Sequence, residues 1–417
     1  MDDITKFINA QLAGLSGQLA EAESIAEFNQ LKVLKAMQEN HISEAHFAAT
    51  NGYGYNDLGR DALEDVYATI FKAEAALVRA QVVSGTHALA LALFGNLRPG
   101  DTLLSVTGAP YDTLHSVIGI KPAEGSLADY GVTYKQVEFD YDEIGQALLE
   151  KPKMAAIQRS KGYAWRSSYT IAQIAELIAF IKKASPETII MVDNCYGEFV
   201  ERMEPVEVGA DMAVGSLIKN PGGGLAPVGG YVVGGRKYIE AAASRLTAPG
   251  LGLEVGPSLG ITGVLMQGLF LAPQVVEASV RGAVLASAVF EKLGFPVLPS
   301  PSETRTDIVQ AIKLGSAEAV LAFCRGIQKA APVDSFVTPE AAPMPGYSHD
   351  VVMAAGAFVQ GSSIELSADA PLKEPFIVYL QGGLTKYHAK YGVECALREL
   401  VSSSNSVTEQ ALARLCQ

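Results

Sequence analysis

The feature that most constrains the fold is an alternation of short apolar runs with amphipathic helical segments through the middle of the chain. Strand-like runs occupy residues 76–83, 101–106, 154–158, 188–193, 213–216 and 230–233. Helical spacing lies between most of them, at 87–95, 141–150 and 170–183, and again after the last run at 237–245. Parallel strands need a crossover, usually a helix. Repeated β-α-β order therefore predicts an α/β fold whose mostly parallel sheet is covered by helices on both faces. Ligands in such sheets bind beyond the carboxyl ends of the strands. The residues that end these runs are the first functional candidates.

Two of them stand out. The run Thr188-Ile189-Ile190-Met191-Val192 delivers Asp193, and Ala213-Val214-Gly215-Ser216 leads through Leu217-Ile218 to Lys219. A surface lysine is the ordinary fate of this residue type. Here an apolar strand precedes Lys219 and Asn220-Pro221-Gly222-Gly223-Gly224 follows, a turn that lets backbone approach a bulky ligand. A phosphate-binding P-loop is excluded, because its glycines precede the lysine. An imine-forming lysine needs a low-dielectric, partly cationic pocket that keeps its amine neutral. Asp193 could be a strand-end cap, but a buried carboxylate without a partner is costly. The N–H of a pyridinium ring supplies that partner. Together the two residues suit pyridoxal 5'-phosphate (PLP), with Lys219 forming the Schiff base and Asp193 holding the ring nitrogen protonated.

A phosphate site falls in register with this pair. Ser84-Gly85-Thr86-His87 lies between the run 76–83 and the helix after it, where free N–H groups and the helix dipole attract an anion. The same turn could be an ordinary N-cap. Ser216 is a second hydroxyl for the phosphate. Tyr111, after Ser105-Val106-Thr107-Gly108-Ala109-Pro110, is placed to stack on the ring or simply to pack. His87 is a candidate wall of the pocket. No other histidine shows metal-ligand spacing, so no metal is expected.

The remainder sets boundaries. Residues 4–40 carry helical spacing, the stretch 52–60 is turn-rich, and a long helix over 275–293 ends at Gly294-Phe295-Pro296. The expected domains are an N-terminal helical segment (1–50), a large domain (51–275) and a smaller α+β domain (276–417). The proline-rich stretch 331–349 reads as a loop that could border the active site. A net charge of −13 argues against nucleic acid and anionic membrane as partners. The four cysteines, Cys195, Cys324, Cys395 and Cys416, are widely spaced and point to a reducing compartment. The acidic start of the chain does not read as a secretory signal. The most apolar stretch, 263–271, is too short to cross a bilayer. A cytoplasmic protein is expected.

With these residues in view, the chain resembles the fold type I PLP-dependent enzymes, in the cystathionine and methionine lyase branch. It is most similar there to the methionine gamma-lyase-like or aluminium-resistance proteins, often described as cystathionine beta-lyases. The carriers are Gly52-Tyr53-Gly54-Tyr55-Asn56-Asp57-Leu58-Gly59-Arg60-Asp61, Ser84-Gly85-Thr86-His87-Ala88, Val192-Asp193-Asn194-Cys195-Tyr196-Gly197-Glu198-Phe199 and Gly215-Ser216-Leu217-Ile218-Lys219-Asn220-Pro221-Gly222-Gly223-Gly224. Gln360-Gly361-Ser362-Ser363-Ile364-Glu365-Leu366-Ser367 and Tyr379-Leu380-Gln381-Gly382-Gly383 extend the likeness to the C-terminal region.

The resemblance implies an aspartate aminotransferase-like large domain around a seven-stranded sheet. It also implies a homotetramer whose active sites lie between subunits, with Tyr55 (or Tyr53) and Arg60 reaching a neighbour's PLP phosphate. Their spacing departs from the family's Tyr-x-Arg. Ile218 stands where those lyases carry threonine. Lys373 stands where an arginine would grip the substrate carboxylate, with Arg159 and Arg166 as rivals. The implied activity is carbon–sulfur elimination on a sulfur-containing amino acid, Lys219 moving the Cα proton and Tyr111 assisting. Racemisation, transamination and a PLP-binding stress or regulatory role use the same residues and stay open.

Overall fold

The computed structural model describes residues 2–344 and 349–403. Two compact units divide the chain, one comprising Gln30–Ser160 and Ser168–Phe270, the other Met1–Asn29, Lys161–Ser167 and Leu271–Gln417. Cys416 and part of the proline-rich stretch, residues 345–348, lie outside the described residues.

The first unit is organised by a seven-stranded sheet. Its strands are β1 (Ala75–Arg79), β2 (Thr102–Ser105), β3 (Thr133–Gln136), β4 (Met154–Gln158), β5 (Ile189–Asp193), β6 (Met212–Ser216) and β7 (Gly230–Gly234). In space they run β1-β7-β6-β5-β4-β2-β3. The pairings from β3 across to β6 are parallel, while β7 is antiparallel to both β6 and β1. The α/β fold read from the sequence, with its mostly parallel sheet, is the fold observed.

β5 shows why the sheet was legible. Ile189 and Met191 pack among side chains of the helices Gly85–Asn96 and Arg236–Leu246. Ile190 and Val192 point the other way, toward the helices Tyr141–Leu148 and Ile171–Ala184. A strand buried on both faces must be apolar throughout, and such a run is hard to miss. β3 is the contrary case. Thr133-Tyr134-Lys135-Gln136 is a polar edge strand with exposed ends, and such a segment reads as loop because edges are protected by short, charged strands.

The second unit carries an antiparallel six-stranded sheet of β8 (Val297–Leu298), β9 (Gln310–Lys313), β10 (Ala341–Ala342), β11 (Val351–Ala354), β12 (Ser367–Pro371) and β13 (Ile377–Gln381). The spatial order is β10-β11-β12-β13-β9-β8. The helices Ala317–Ala330 and Lys386–Ser402 pack together, and the N-terminal helix Asp3–Ala13 lies against the latter. Arg398 Nη2 donates to Asp2 Oδ2 at 2.6 Å, and Thr5 Oγ1 to Glu394 Oε1 at 2.8 Å. The piece Lys161–Ser167 is tied to this unit by Lys161, whose buried Nζ lies 3.3 Å from both Asp307 oxygens and 3.1 Å from Val309 O.

One expectation fails. The apolar stretch 263–271 and the helix expected over 275–293 are a single helix, Thr262–Lys292, that continues through Pro273. By length and composition it could cross a membrane, yet 72% of its most apolar window is buried inside the protein. Proline removes one backbone hydrogen bond and ordinarily marks a break. Burial of Leu269, Ala272, Val275 and Val276 on either side outweighs that loss.

Truncating the central strand should be costly while the edge is tolerant. Ile190→Ala, at a fully buried site, should lower stability by about 2–5 kcal/mol. Lys135→Ala on β3 should stay within about 0.5 kcal/mol. Urea denaturation midpoints of the two variants check this, and equal midpoints would contradict the layer assignment.

Candidate active site

A cavity opens at the carboxyl ends of β5 and β6, where the strand–helix alternation placed the first candidates. Its lining includes Asp193, Ser216 and Lys219, together with Ser84, Gly85 and Thr86 from the turn after β1 and Tyr111 from the segment after β2. Parallel register brings these ends level. Asp193 pairs with Gln158 on β4 and Val214 on β6. Its carbonyl accepts from Arg159 N–H at 3.1 Å, while Asn194 N–H donates to Val214 O at 2.9 Å.

The helix Gly85–Asn96 points its N-terminus into this cavity. Ser84 is the N-cap, its Oγ accepting from His87 N–H at 3.1 Å. The N–H groups of Gly85 and Thr86 in the first turn have no intrahelical acceptor and are available to an anion. Thr86 Oγ1 lies 2.8 Å from Thr113 Oγ1, which fixes the hydroxyl at the cavity wall. Gly85 is required for close approach, since a Cβ there would sit 3.1 Å from Ser216 Cβ and 3.7 Å from Cys195 Sγ. The set combines a helix terminus for a phosphate, a ring to stack, a carboxylate for a ring nitrogen and an amine for a carbonyl. It fits PLP.

Lys219 is partly buried and its Nζ lies 3.9 Å from the centre of the Tyr196 ring. Burial opposes the ammonium, but Cys195, Tyr196, Asp193 and Glu198 outweigh it and hold the amine's proton above the usual lysine range. The expected cationic surroundings are thus not found. The protein's own groups around Lys219 are acidic, and a bound phosphate ester would add to rather than relieve that sign. Asp193 Oδ1 accepts from Cys195 N–H at 3.1 Å, which fixes the carboxylate's orientation.

Other expected residues are placed elsewhere. The His87 ring turns back to accept Val83 N–H at Nδ1 (3.2 Å), and burial lowers its pKa, so it is a neutral imidazole that helps close the turn. The glycines after Lys219 do not line the cavity. A Cβ on Gly222 would lie 1.8 Å from Leu217 O, so the turn is folded tightly on its own backbone. Arg159 is fully buried and its two terminal nitrogens are engaged: it donates to Asn194 Oδ1 (2.8 Å), Gly197 O (3.0 Å) and Glu201 Oε2 (2.6 Å), with Glu204 at 3.9 Å, while Nε has no partner among the described residues. Tyr55 is 57% exposed and stacked on Tyr53 at 5.4 Å. Arg60 holds their turn, donating to Gly54 O (2.8 Å), Gly256 O (3.1 Å) and Asp61 Oδ1 (2.8 Å).

In the second unit, Arg166 donates to Ser167 O at 3.0 Å, and Lys373 lines a separate cavity with Tyr163, Trp165 and Tyr379. Sequence reading missed Arg305 in that unit. It is buried, donates through Nη1 to Gln310 Oε1 at 2.8 Å, and has Nε and Nη2 without partners among the described residues. Burial lowers its pKa to about 10. A single arginine in Thr304-Arg305-Thr306 carries no spacing signal. Glu198 and Tyr196 were missed as well, although they lie in the motif that holds Asp193.

The family model for methionine gamma-lyase matches residues 4–401. The chain belongs to the methionine gamma-lyase family. The uncharacterized YnbB protein of Bacillus subtilis (strain 168) is 49% identical over 402 residues, covering 94% of this chain and 95% of that protein. A crystal structure from Clostridium acetobutylicum, described as a candidate cystathionine beta-lyase involved in aluminum resistance, is 50% identical. It superposes with a TM-score of 0.93 over 96% of each chain. The pyridoxal-5'-phosphate dependent protein YhfS from Escherichia coli shares the fold at 18% identity, with a TM-score of 0.62 over 90% of this chain and 96% of that one.

Arg159 separates a structural from a substrate-binding role. Arg159→Ala would leave Glu201 and Glu204 uncompensated and should cost about 3–5 kcal/mol, seen as a large drop in melting temperature. Arg166→Ala should leave the melting temperature nearly unchanged. A well-folded Arg159→Ala protein altered only in KM would reverse this assignment.

Proposed function

We propose that this family member is a PLP-dependent carbon–sulfur lyase, cytoplasmic, acting on a sulfur-containing amino acid by α,β- or α,γ-elimination. The observation that carries this reading is the convergence of Lys219, Asp193 and the helix N-terminus at Gly85 on one cavity. PLP, when bound, would supply the electron sink that makes the Cα proton of an amino acid acidic.

The chain's own residues divide the remaining work. Gly85, Thr86 and Ser216 would hold the phosphate through backbone N–H groups and hydroxyls, and Asp193 would keep the ring nitrogen protonated. Tyr111 would pack on the ring. The Lys219 amine would move the Cα proton, and the products are a thiol, a keto acid and ammonia.

The proposed assembly is a homotetramer. Gly256 N–H bonds Tyr53 O at 2.8 Å and Leu259 N–H bonds Thr50 O at 3.2 Å. These bonds bring together Tyr53, Tyr55, Leu58 and Leu259, which are 68%, 57%, 62% and 59% exposed. A cluster of large exposed apolar side chains marks a protein interface. A second copy of the chain would cover it, with Tyr55 meeting the neighbour's phosphate while Arg60 braces the turn.

Three measurements test these proposals. Lys219→Ala should lose the visible-edge absorbance of bound PLP, and turnover should fall by about 10²–10⁴-fold or more. An unchanged spectrum would sink the assignment. Incubation with cystathionine, cysteine and methionine should yield keto acid and thiol, whereas keto acid without thiol would favour transamination. In sedimentation velocity the wild type should run as a tetramer and Leu58→Asp as smaller species. A monomeric wild type would refute the assembly.

A further inference from the structure

The backbone between Asp193 and Lys219 is shaped around a group that the proposed reaction does not use. Tyr196 and Phe199, both bulky, adopt positive φ angles of 74° and 62°. Such conformations persist only where the surroundings impose them, and they gather at functional sites. The imposing groups are identifiable. Asn220, next to Lys219, donates its Nδ2 to the carbonyls of Tyr196 (3.0 Å) and Glu198 (2.9 Å). Phe199 N–H donates to Glu204 Oε1 at 2.9 Å, and Asn194 Nδ2 to Glu204 Oε2 at 2.8 Å. The segment is thereby clipped to the Lys219 turn on one side and to Glu204 on the other.

This arrangement sends the Glu198 side chain beneath the sheet end. Tyr231 on β7 donates its hydroxyl to Glu198 Oε1 at 2.8 Å. Gly215 on β6 makes room for the pair, since a Cβ there would fall 2.6 Å from Oε1 and 2.5 Å from Tyr231 Cε1. Glu198 is fully buried, and its Oε2 has no hydrogen-bond partner among the described residues. The titratable groups that face it are Tyr231, Glu204, Tyr67, Cys195 and Lys219. Arg159 stands behind Glu204. Burial, with the charge of Glu204 adding to it, pushes the Glu198 carboxyl up to about 8, while the Tyr231 hydrogen bond and Lys219 pull the other way.

We infer that Glu198 is a positioning residue for Lys219: a neutral acid while the amine reacts, whose ionisation locks that amine as an ammonium. The inference rests on the proposed role of Lys219 as the PLP-binding amine. Its consequence follows from coupled titration. Once the pair has lost one proton, the state with ionised Glu198 and protonated Lys219 and the state with both neutral differ only in where the proton sits. Their ratio no longer depends on pH, so the neutral amine stops increasing.

The test is the rate at which the full-length chain, purified free of cofactor, captures PLP as a function of pH, followed by visible absorbance. In the wild type the rate should rise with pH and then level off above about pH 8. In Glu198→Gln it should keep rising about tenfold per pH unit, and Glu198→Asp should restore the plateau. Identical slopes in wild type and Glu198→Gln would overturn the inference while leaving the cofactor assignment intact. A wild type that captures no PLP at any pH would overturn both.

Two further readouts guard against a variant that fails to fold. Tyr231→Phe removes a donor to Glu198 and should move the plateau to higher pH, and an unmoved plateau would count against the inference. Linkage gives the other, independent of PLP. An acid whose folded pKa is raised keeps its proton in the folded state after the unfolded chain has released it, so stability falls as pH rises between its ordinary 4.5 and about 8. Glu198→Gln should flatten that part of the melting-temperature profile, and an unchanged profile would mean that Glu198 is not held neutral.

Discussion

The site depends on one buried guanidinium. Arg159 leaves β4 and lies wholly inside the protein, where it neutralises Glu201 and approaches Glu204. A charge so placed is tolerable only with partners of opposite sign and hydrogen bonds, and Arg159 draws these for both terminal nitrogens from the chain that follows β5. Gly197 is part of the same arrangement, because a Cβ there would collide with the guanidinium at 2.5 Å. The segment after Asp193 is thus gathered around Arg159 instead of leading directly away from the sheet. This is what carries Cys195, Tyr196 and Glu198 to the region of Lys219.

The same gathering decides the electrostatics. A parallel sheet offers its carboxyl ends to a ligand, and here those ends present acids: Asp193 at the cavity, then Glu198 and Glu204 beneath it. Lys219 is the cation among them, drawn over the Tyr196 ring. An acidic floor keeps a free amine charged, which favours storage of its proton over nucleophilic attack. The positive end of the helix Gly85–Asn96, on the opposite wall, supplies the complementary potential for a phosphate without adding a side-chain charge. Acidic net charge is therefore compatible with the proposed phosphate site, since backbone dipoles would do the binding.

Legibility followed burial. Strands such as β5, apolar because both faces are covered, announced themselves, and the residues at their ends became the site candidates. Asp193, Lys219, Ser84, Gly85, Thr86, Ser216 and Tyr111 do line one cavity. The polar edge strand β3 carried no such signal, and the separate segments 263–271 and 275–293 proved to be one helix that apolar burial carries through Pro273. Cationic residues carried the least information. Arg159, Arg166 and Lys373 are alike in sequence as positive charges, yet one is enclosed by glutamates and the other two belong to the second unit.

The layered α/β architecture and the gathering of the strand-end residues at one cavity were legible in the chain itself, because hydrophobic periodicity and strand-end position are local properties. Tertiary structure alone decided which charges are free. Whether Arg159 is a ligand or a strut, whether His87 faces the cavity or its own turn, and whether Glu198 bears a proton depend on neighbours far away in the chain. Charge in a protein is governed by burial and by the partners that burial supplies, and neither is written at any single position.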